Sequence, residues 1–181
     1  MDTEQSIYVL LSDTGTLFTR LIKWYTGDPM NHASIAFDDR LTEVFSFGRR
    51  NPDNPFIGGF VEEDLGGKLF GNASCQLYRC TVSKQAYDRM VRHVEEMRGR
   101  KHQFKYNLWG LLCVMMNVRL ERRNAYFCSQ FVASVFEKNG CAILGKPAAL
   151  VTPGDLAASP SLRLVYQGHI RQLTQPLPVT G

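Results

Sequence analysis

The sequence predicts a single α+β domain in which an antiparallel sheet packs against helices. The 181 residues are enough to bury a hydrophobic core without disulfide or metal staples. Short apolar runs with strand character alternate with segments whose apolar residues recur at helical spacing. The sequence contains neither an internal repeat nor a linker rich in Pro, Gly and Ser. We therefore treat residues 1–181 as one domain, with a tail after residue 172 that is expected to fray.

The N-terminal quarter is predicted to form a strand, a helix and a hairpin. Residues 6–11 are an apolar run typical of a buried strand. Residues 17–25 carry apolar side chains at helical spacing between a polar capping run and a Gly-Asp-Pro stop. The runs 32–37 and 41–47 flank a polar Asp-Asp-Arg turn, which predicts a β-hairpin.

Residues 48–68 are rich in Gly, Pro, Asn and Asp and show no clean periodicity. Loops of this length inside a compact domain are uncommon and often functional, which favours a lid or substrate loop. The competing interpretation is an ordinary surface excursion with a short strand at Phe60–Val61. The sequence leaves both interpretations open.

A strand and two helical segments follow this loop. Residues 74–82 read as a strand, and Ser83 is a suitable cap for an amphipathic helix that runs to about Met97. Residues 106–116 are mostly apolar and predict a helix or a buried segment. The longest apolar stretch in this region is too short to span a bilayer, so no transmembrane segment is predicted.

The C-terminal third is predicted to contain the helix that carries Cys128. Asn124 is a candidate N-cap, and Gly140 supplies the usual glycine signal at the C-terminal end. Residues 151–156 predict a short helical turn, and residues 162–167 predict a late strand.

Charge and its distribution argue against one class of function, nucleic-acid binding. The net charge of +4 comes from 21 basic and 17 acidic residues spread along the chain. The basic clusters are short and lack interleaved aromatic residues, so no nucleic-acid partner is predicted. The oligomeric state is not readable from the sequence.

Cysteine usage and the N-terminus favour a reducing compartment. The five cysteines are an odd number, and the acidic, polar N-terminus lacks the apolar core of a signal peptide. We therefore expect a cytoplasmic protein. Cys75 and Cys80 have no second pair to complete a zinc site, so no metal and no cofactor are predicted.

The chemistry-bearing pair is His32, which opens a predicted strand, and Cys128, which lies on the first turn of a predicted helix. A thiol at a helix N-terminus is exposed to the partial positive charge of unpaired N–H groups, which favours the thiolate. An imidazole that accepts the thiol proton would complete a cysteine nucleophile. A core cysteine is the commoner role for such a residue. The polar Ser129 and Gln130 beside Cys128 favour an exposed site instead.

A third polar group would orient the imidazole and stabilise its protonated form. Glu43, on the second arm of the predicted hairpin, is our candidate for that role. Ser34 and Ser46 on the same hairpin are competing polar candidates.

These residues resemble the circularly permuted branch of the NlpC-type papain-like superfamily, which includes the lecithin retinol acyltransferase-like proteins. The matching pieces include the histidine strand, the hairpin to Glu43 and the run Phe127-Cys128-Ser129-Gln130-Phe131-Val132. The order of histidine before cysteine is the reverse of that in papain. The resemblance implies a papain-like NlpC-type fold with permuted topology and a catalytic cysteine at a helix N-terminus.

The resemblance also implies roles for individual residues. Cys128 matches the nucleophile, His32 the general base and Glu43 the third residue of a Cys-His-Glu triad. Tyr106 matches a tyrosine found near the site in relatives. We expect Tyr106 and Ser129 to contact the substrate.

The leading hypothesis is therefore a thiol hydrolase, similar to an amidase or peptidase, that cleaves an amide, ester or thioester through a thioester acyl-enzyme. A small molecule, a peptide or an acyl-lipid would be its substrate. The alternatives are acyl transfer from lipids and a non-catalytic binding module on the same fold. Peripheral membrane association ranks last, because no segment combines a strongly apolar face with a basic one.

Overall fold

The computed structural model describes residues 3–14, 29–51, 54–67, 70–107 and 124–174. Within these ranges it confirms a mixed α+β architecture built on an antiparallel sheet. The predicted helix over residues 17–25 lies outside the described residues. So do Cys113, most of the predicted segment 106–116 and the tail beyond residue 174.

The main sheet has six strands in the order β4-β3-β2-β1-β5-β8, and every neighbouring pair is antiparallel. These strands are β1 (Glu4–Asp13), β2 (His32–Ala36), β3 (Val44–Asn51), β4 (Asn54–Glu62), β5 (Ser74–Ser83) and β8 (Arg163–His169). Two short strands, β6 (Lys105–Tyr106) and β7 (Ala125–Tyr126), pair in parallel as a separate ribbon.

The described helices are α1 (Lys84–Gly99), α2 (Cys128–Lys138), α3 (Pro153–Ala157) and α4 (Ile170–Thr174). As predicted, Ser83 caps α1 by accepting a hydrogen bond from the N–H of Ala86 at 3.3 Å. Gly140 follows α2 with a φ of 79°, and the next amide returns to Phe136 O at 3.0 Å, a Schellman ending.

The predicted hairpin of β2 and β3 is confirmed, but its ladder is short. Ile35 pairs with Phe45 and Ala36 with Val44. On its other edge β2 pairs with β1 along its whole length, so that His32 lies opposite Ser12. The start of β2 is therefore fixed by β1 rather than by β3.

The expectation of a structureless loop over residues 48–68 is wrong for most of that segment. β3 continues to Asn51 and pairs with β4, which forms the edge of the main sheet. The glycine that weakened the strand pattern has a packing role, because a Cβ at Gly58 would lie 2.8 Å from the Cβ of Tyr106. The segment is thus a β-hairpin of the sheet and not a lid of irregular chain.

Each face of the sheet covers a separate hydrophobic core. On one face, α1 and α2 bury a larger core that contains Ile35, Phe47 and Phe131. On the other face, Phe70 and Ile170 help to bury a smaller core. Because alternate residues of a strand point to opposite faces, β2 and β3 contribute side chains to both cores. None of the described helices has the length and apolarity that crossing a membrane requires.

Candidate active site

His32 is held at the start of β2 by the residue before it. Asn31 is buried, and its N–H donates to Ser12 O at 3.1 Å. The Asn31 side chain donates to Asp13 Oδ1 at 2.6 Å and accepts from the N–H of Thr14 at 3.3 Å. These hydrogen bonds hold the residue before β2 against the end of β1. The backbone from which the His32 side chain projects is therefore fixed in position.

Cys128 is the first residue of α2, as the sequence predicts, although the cap differs. The N-cap is Phe127, and its N–H donates to the Gln130 side-chain oxygen at 3.3 Å. Asn124 adopts a φ of 55° and precedes β7, so it lies too early to cap the helix. The amides of the first turn have no carbonyl one turn earlier, and Cys128 therefore lies where anionic groups are favoured.

The structure brings Cys128 and His32 together in a hydrogen bond. The two side chains come from opposite thirds of the chain, and they are only 3% and 13% exposed, respectively. Burial alone raises the pKa of the Cys128 thiol, but the hydrogen bond and positive charge of His32 lower it below its ordinary value. The backbone N–H groups of Ala33 and Ser129 also donate to the sulfur and act in the same direction.

The opposite side of the imidazole faces a carboxylate, that of Glu63. His32 Nε2 and Glu63 Oε1 are 2.8 Å apart, and the Glu63 side chain is 8% exposed. Burial alone lowers the pKa of His32. Hydrogen bonds to Cys128 and Glu63, together with their negative charges, outweigh burial and raise it from 6.5 to about 10. The geometry therefore favours a thiolate–imidazolium pair at neutral pH.

Glu63 directly follows β4 and is placed by the pairing of β4 with β3. Its N–H donates to Val44 O at 2.7 Å. The Ser46 hydroxyl, which is fully buried, donates to Glu63 Oε1, the same oxygen that faces His32. Four side chains thus form one hydrogen-bonded line from Cys128 through His32 and Glu63 to Ser46.

Glu43 does not contact this line, and the sequence-based choice of the carboxylate is corrected to Glu63. Glu43 Oε1 lies 2.9 Å from an Arg98 nitrogen, and the side chain is about half exposed. Arg98 belongs to α1, which packs on the larger-core face, whereas the His32 ring lies 6.2 Å from Phe70 in the smaller core. Arg98 is the partner of Glu43, whereas Glu63 is the partner of His32.

Glu63 was not predicted as a site residue, because the composition of residues 48–68 indicates a loop. The end of the apolar run Phe60-Val61 was a usable signal, since Glu62 and Glu63 follow it and must point to opposite faces of an extended strand. Glu62 indeed pairs with Arg98 at 2.9 Å, while Glu63 faces His32.

The two residues expected to contact the substrate occupy different environments. Tyr106 is half-buried in β6 and packs against the larger core. Its parallel partner β7 leads directly into Phe127 and Cys128. The Ser129 hydroxyl is fully buried and donates to Val151 O at 2.7 Å, so the expected role of this side chain in substrate binding is not supported. Only the Ser129 N–H is directed at the sulfur.

A cavity of about 280 Å³ is lined by residues close in sequence to those that hold the site. Met30 lies two residues before His32, and Pro153 lies two residues after Val151, which accepts the Ser129 bond. The described residues that line it are uncharged, with the Gln76 amide as their most polar side chain. Such a cavity suits a neutral group. Among the described side chains, no three His, Cys, Asp or Glu groups are arranged to hold a metal ion.

The choice between the two carboxylates can be tested without a substrate. We expect Glu63→Gln to slow alkylation of Cys128 at pH 6 by about 10-fold, because loss of the anion destabilises the thiolate–imidazolium pair by about 1.4 kcal/mol relative to the neutral thiol and imidazole. Glutamine keeps the size of the side chain, so the change reports charge. The measurement is the rate of iodoacetamide labelling at each cysteine by peptide mass spectrometry.

Glu43→Gln is the matched control, because it removes the same charge from the same region of the sheet. We expect it to leave the labelling rate within about twofold of wild type, as an exposed ion pair has little influence on a buried group. Equal effects of the two variants would show that Glu63 has no special role.

Neither a scan against protein-family models nor a search of curated proteins returned a match for this chain. The function proposed below therefore depends on the geometry of Cys128, His32 and Glu63.

Proposed function

We propose that the protein is a cysteine-dependent hydrolase that cleaves an amide, ester or thioester through a thioester on Cys128. One observation carries this proposal: His32 hydrogen-bonds to a helix-N-terminal cysteine and, through Nε2, lies 2.8 Å from a buried carboxylate. A cysteine that only fills space in the core does not require an imidazole beside it. A histidine that only fills space does not require a buried carboxylate, because burying that charge costs free energy. We also propose that the chain belongs to the permuted papain-like branch that its sequence resembles.

In the proposed reaction, the Cys128 thiolate attacks the substrate carbonyl carbon while His32 holds the proton. The tetrahedral oxyanion accepts hydrogen bonds from backbone N–H groups at the start of α2, each worth roughly 3 kcal/mol when well placed. Collapse of this intermediate breaks the bond to the amine, alcohol or thiol, which takes the proton from His32. A thioester then joins the acyl group to Cys128.

Water completes the cycle. His32, now neutral, takes a proton from the attacking water, and the second tetrahedral intermediate releases a carboxylic acid and regenerates the thiolate. Glu63 keeps the imidazole in one orientation and stabilises the imidazolium, which is present at the start of the first step and forms again in the second. We take the uncharged cavity lined by Met30 and Pro153 as the candidate pocket for a neutral acyl group or side chain of the substrate.

The test is direct detection of the acyl-enzyme. The purified protein is mixed with a panel of p-nitrophenyl esters, acyl thioesters and peptidyl coumarin amides, and intact mass is read at short times. We expect an adduct equal to the acyl group on Cys128, released on longer incubation. It should be lost in Cys128→Ala and kept in the matched variant Cys141→Ala, which replaces a partly exposed cysteine.

An adduct that survives in Cys128→Ala would place the chemistry elsewhere. Absence of both adduct and turnover across all three substrate classes would contradict the hydrolase and favour a binding module.

A further inference from the structure

Ser46 lies on the face of β3 that meets the site. It is fully buried, and in the pairing of β3 with β4 it lies opposite Val61, two residues before Glu63. Gly48 follows on the same face, and a Cβ built on it would lie 3.6 Å from both His32 Cε1 and Ser46 Oγ. His32 and Ser46 therefore both lie beside Gly48 on this face.

The Ser46 hydroxyl has one partner in the described residues, Glu63 Oε1. This oxygen also faces His32 Nε2, so a single carboxylate oxygen accepts two hydrogen bonds. The bond from the Glu63 N–H to Val44 O fixes the main chain, but the terminal torsion of a glutamate is broad. A second donor from the sheet therefore restricts the carboxylate to the orientation that His32 requires.

We propose that Ser46 is a positioning residue that holds the Glu63 carboxylate against His32 and thereby helps to keep Cys128 ionised. This inference rests on the proposed cysteine chemistry and extends its triad to a fourth member. Ser46 acts through Glu63 and is not assigned a contact with the substrate. The Ser46 hydroxyl is an uncharged donor. Its hydrogen bond stabilises the ionised form of the buried Glu63 carboxylate and adds no second positive charge that would compete with the His32 imidazolium.

Ser34 provides a matched control for the substitution of Ser46. Ser34 lies on β2, two residues after His32, and is as deeply buried as Ser46. Its hydroxyl has no hydrogen-bond partner in the part of the chain that the structure describes. Removal of the Ser34 hydroxyl therefore repeats the chemical change of Ser46→Ala without removing a bond to the site.

The experiment measures the rate of Cys128 alkylation by iodoacetamide from pH 5 to 10 in five proteins. These are wild type, Ser46→Ala, Ser46→Thr, Ser34→Ala and Glu63→Gln. We expect Ser46→Ala to slow labelling at pH 6 by about threefold to tenfold and to move the profile to higher pH, as a lost hydrogen bond to a charged group predicts. Ser46→Thr, which keeps the hydroxyl on a strand, should restore most of the rate, and Ser34→Ala should match wild type.

Thermal unfolding of each variant, followed by circular dichroism, separates positioning from folding. A Ser46→Ala protein that is folded and labels at the wild-type rate, while Glu63→Gln labels slowly, would overturn the role of Ser46 and leave the proposed function standing. A wild-type Cys128 that labels only above pH 8.5 would instead overturn the proposed function. If Ser46→Ala fails to fold, Ser46→Val, which also lacks the hydroxyl and has the shape of the threonine in Ser46→Thr, decides in its place. Wild-type labelling by a folded Ser46→Val protein would overturn the proposal, and slow labelling beside a faster Ser46→Thr protein would support it.

Discussion

Replacement of His32 by alanine is expected to slow alkylation of Cys128 at pH 6 by about 100-fold. In the wild-type site the imidazolium holds the thiol pKa below its ordinary value. Without it, burial is the leading influence, and a thiol with a pKa of 8.5 or above is less than about 1% ionised at pH 6. The greater intrinsic nucleophilicity of a more basic thiolate recovers only part of that loss.

The measurement is the pH profile of iodoacetamide labelling in wild type, His32→Ala and His169→Ala. His169 is an exposed histidine at the end of β8, and its removal tests for a general effect of losing an imidazole. Cys75 and Cys80 are internal controls in every sample, because they are as buried as Cys128 but burial raises their pKa values to about 11. Access is thus matched, and differences in rate report ionisation.

The direction in which the labelling rate changes with pH follows from the pKa shifts of Cys128 and His32. The Cys128 pKa is lowered, so wild-type labelling should persist as pH falls well below 8.5. The His32 pKa is raised to about 10, so the imidazolium should persist until pH rises through that value. Wild-type Cys128 that labels no faster than Cys75 and Cys80 at pH 6 would contradict the ion pair.

Phe47→Ala is expected to lower the free energy of unfolding by about 3–5 kcal/mol, the range for a buried aromatic residue cut back to alanine. Phe47 is fully buried in the larger core. Its ring centroid lies 5.0 Å from that of Tyr126, 5.1 Å from that of Phe131 and 5.9 Å from those of both Phe60 and Phe104. The cavity left behind would be walled by four aromatic rings from four different segments, which cannot all collapse into it.

Urea denaturation followed by tryptophan fluorescence and circular dichroism gives the free energy of unfolding. Leu164→Ala is the matched control, since Leu164 is 44% exposed on β8 and its truncation should cost less than about 0.5 kcal/mol. A cost below about 1 kcal/mol for Phe47→Ala would show that the aromatic cluster is not a packed core.

Elements with strong local patterns were predictable from sequence, and elements defined by their neighbours were not. The helix after Ser83 carries its cap and its apolar face within a single segment, so local chemistry specifies it. β4 contains Pro55, Gly58 and Gly59, which oppose a strand locally. It forms a strand because β3 pairs with it and because Tyr106 requires a glycine at position 58.

The site divides in the same way. Cys128 and His32 were predictable because each opens an element whose own pattern is clear. The carboxylate was not, because its identity depends on the pairing of β3 with β4, which follows from tertiary contacts. Which of the two serines, Ser34 or Ser46, contacts the carboxylate depends on the same pairing. Ser46 lies opposite Val61 of β4, two residues before Glu63.

The hydrogen-bonded line from Cys128 to Ser46 also has a consequence for the stage of folding at which the site forms. His32 and Ser46 lie on the neighbouring strands β2 and β3, and Glu63 directly follows β4, whereas Cys128 reaches them only when α2 docks on β2 and β3. Contacts between distant segments close late, because the entropy of the intervening loop must be lost first. We therefore expect the thiol to remain an ordinary, weakly ionised group until α2 docks, so that an incompletely folded chain exposes no activated sulfur to oxidants or to stray acyl donors.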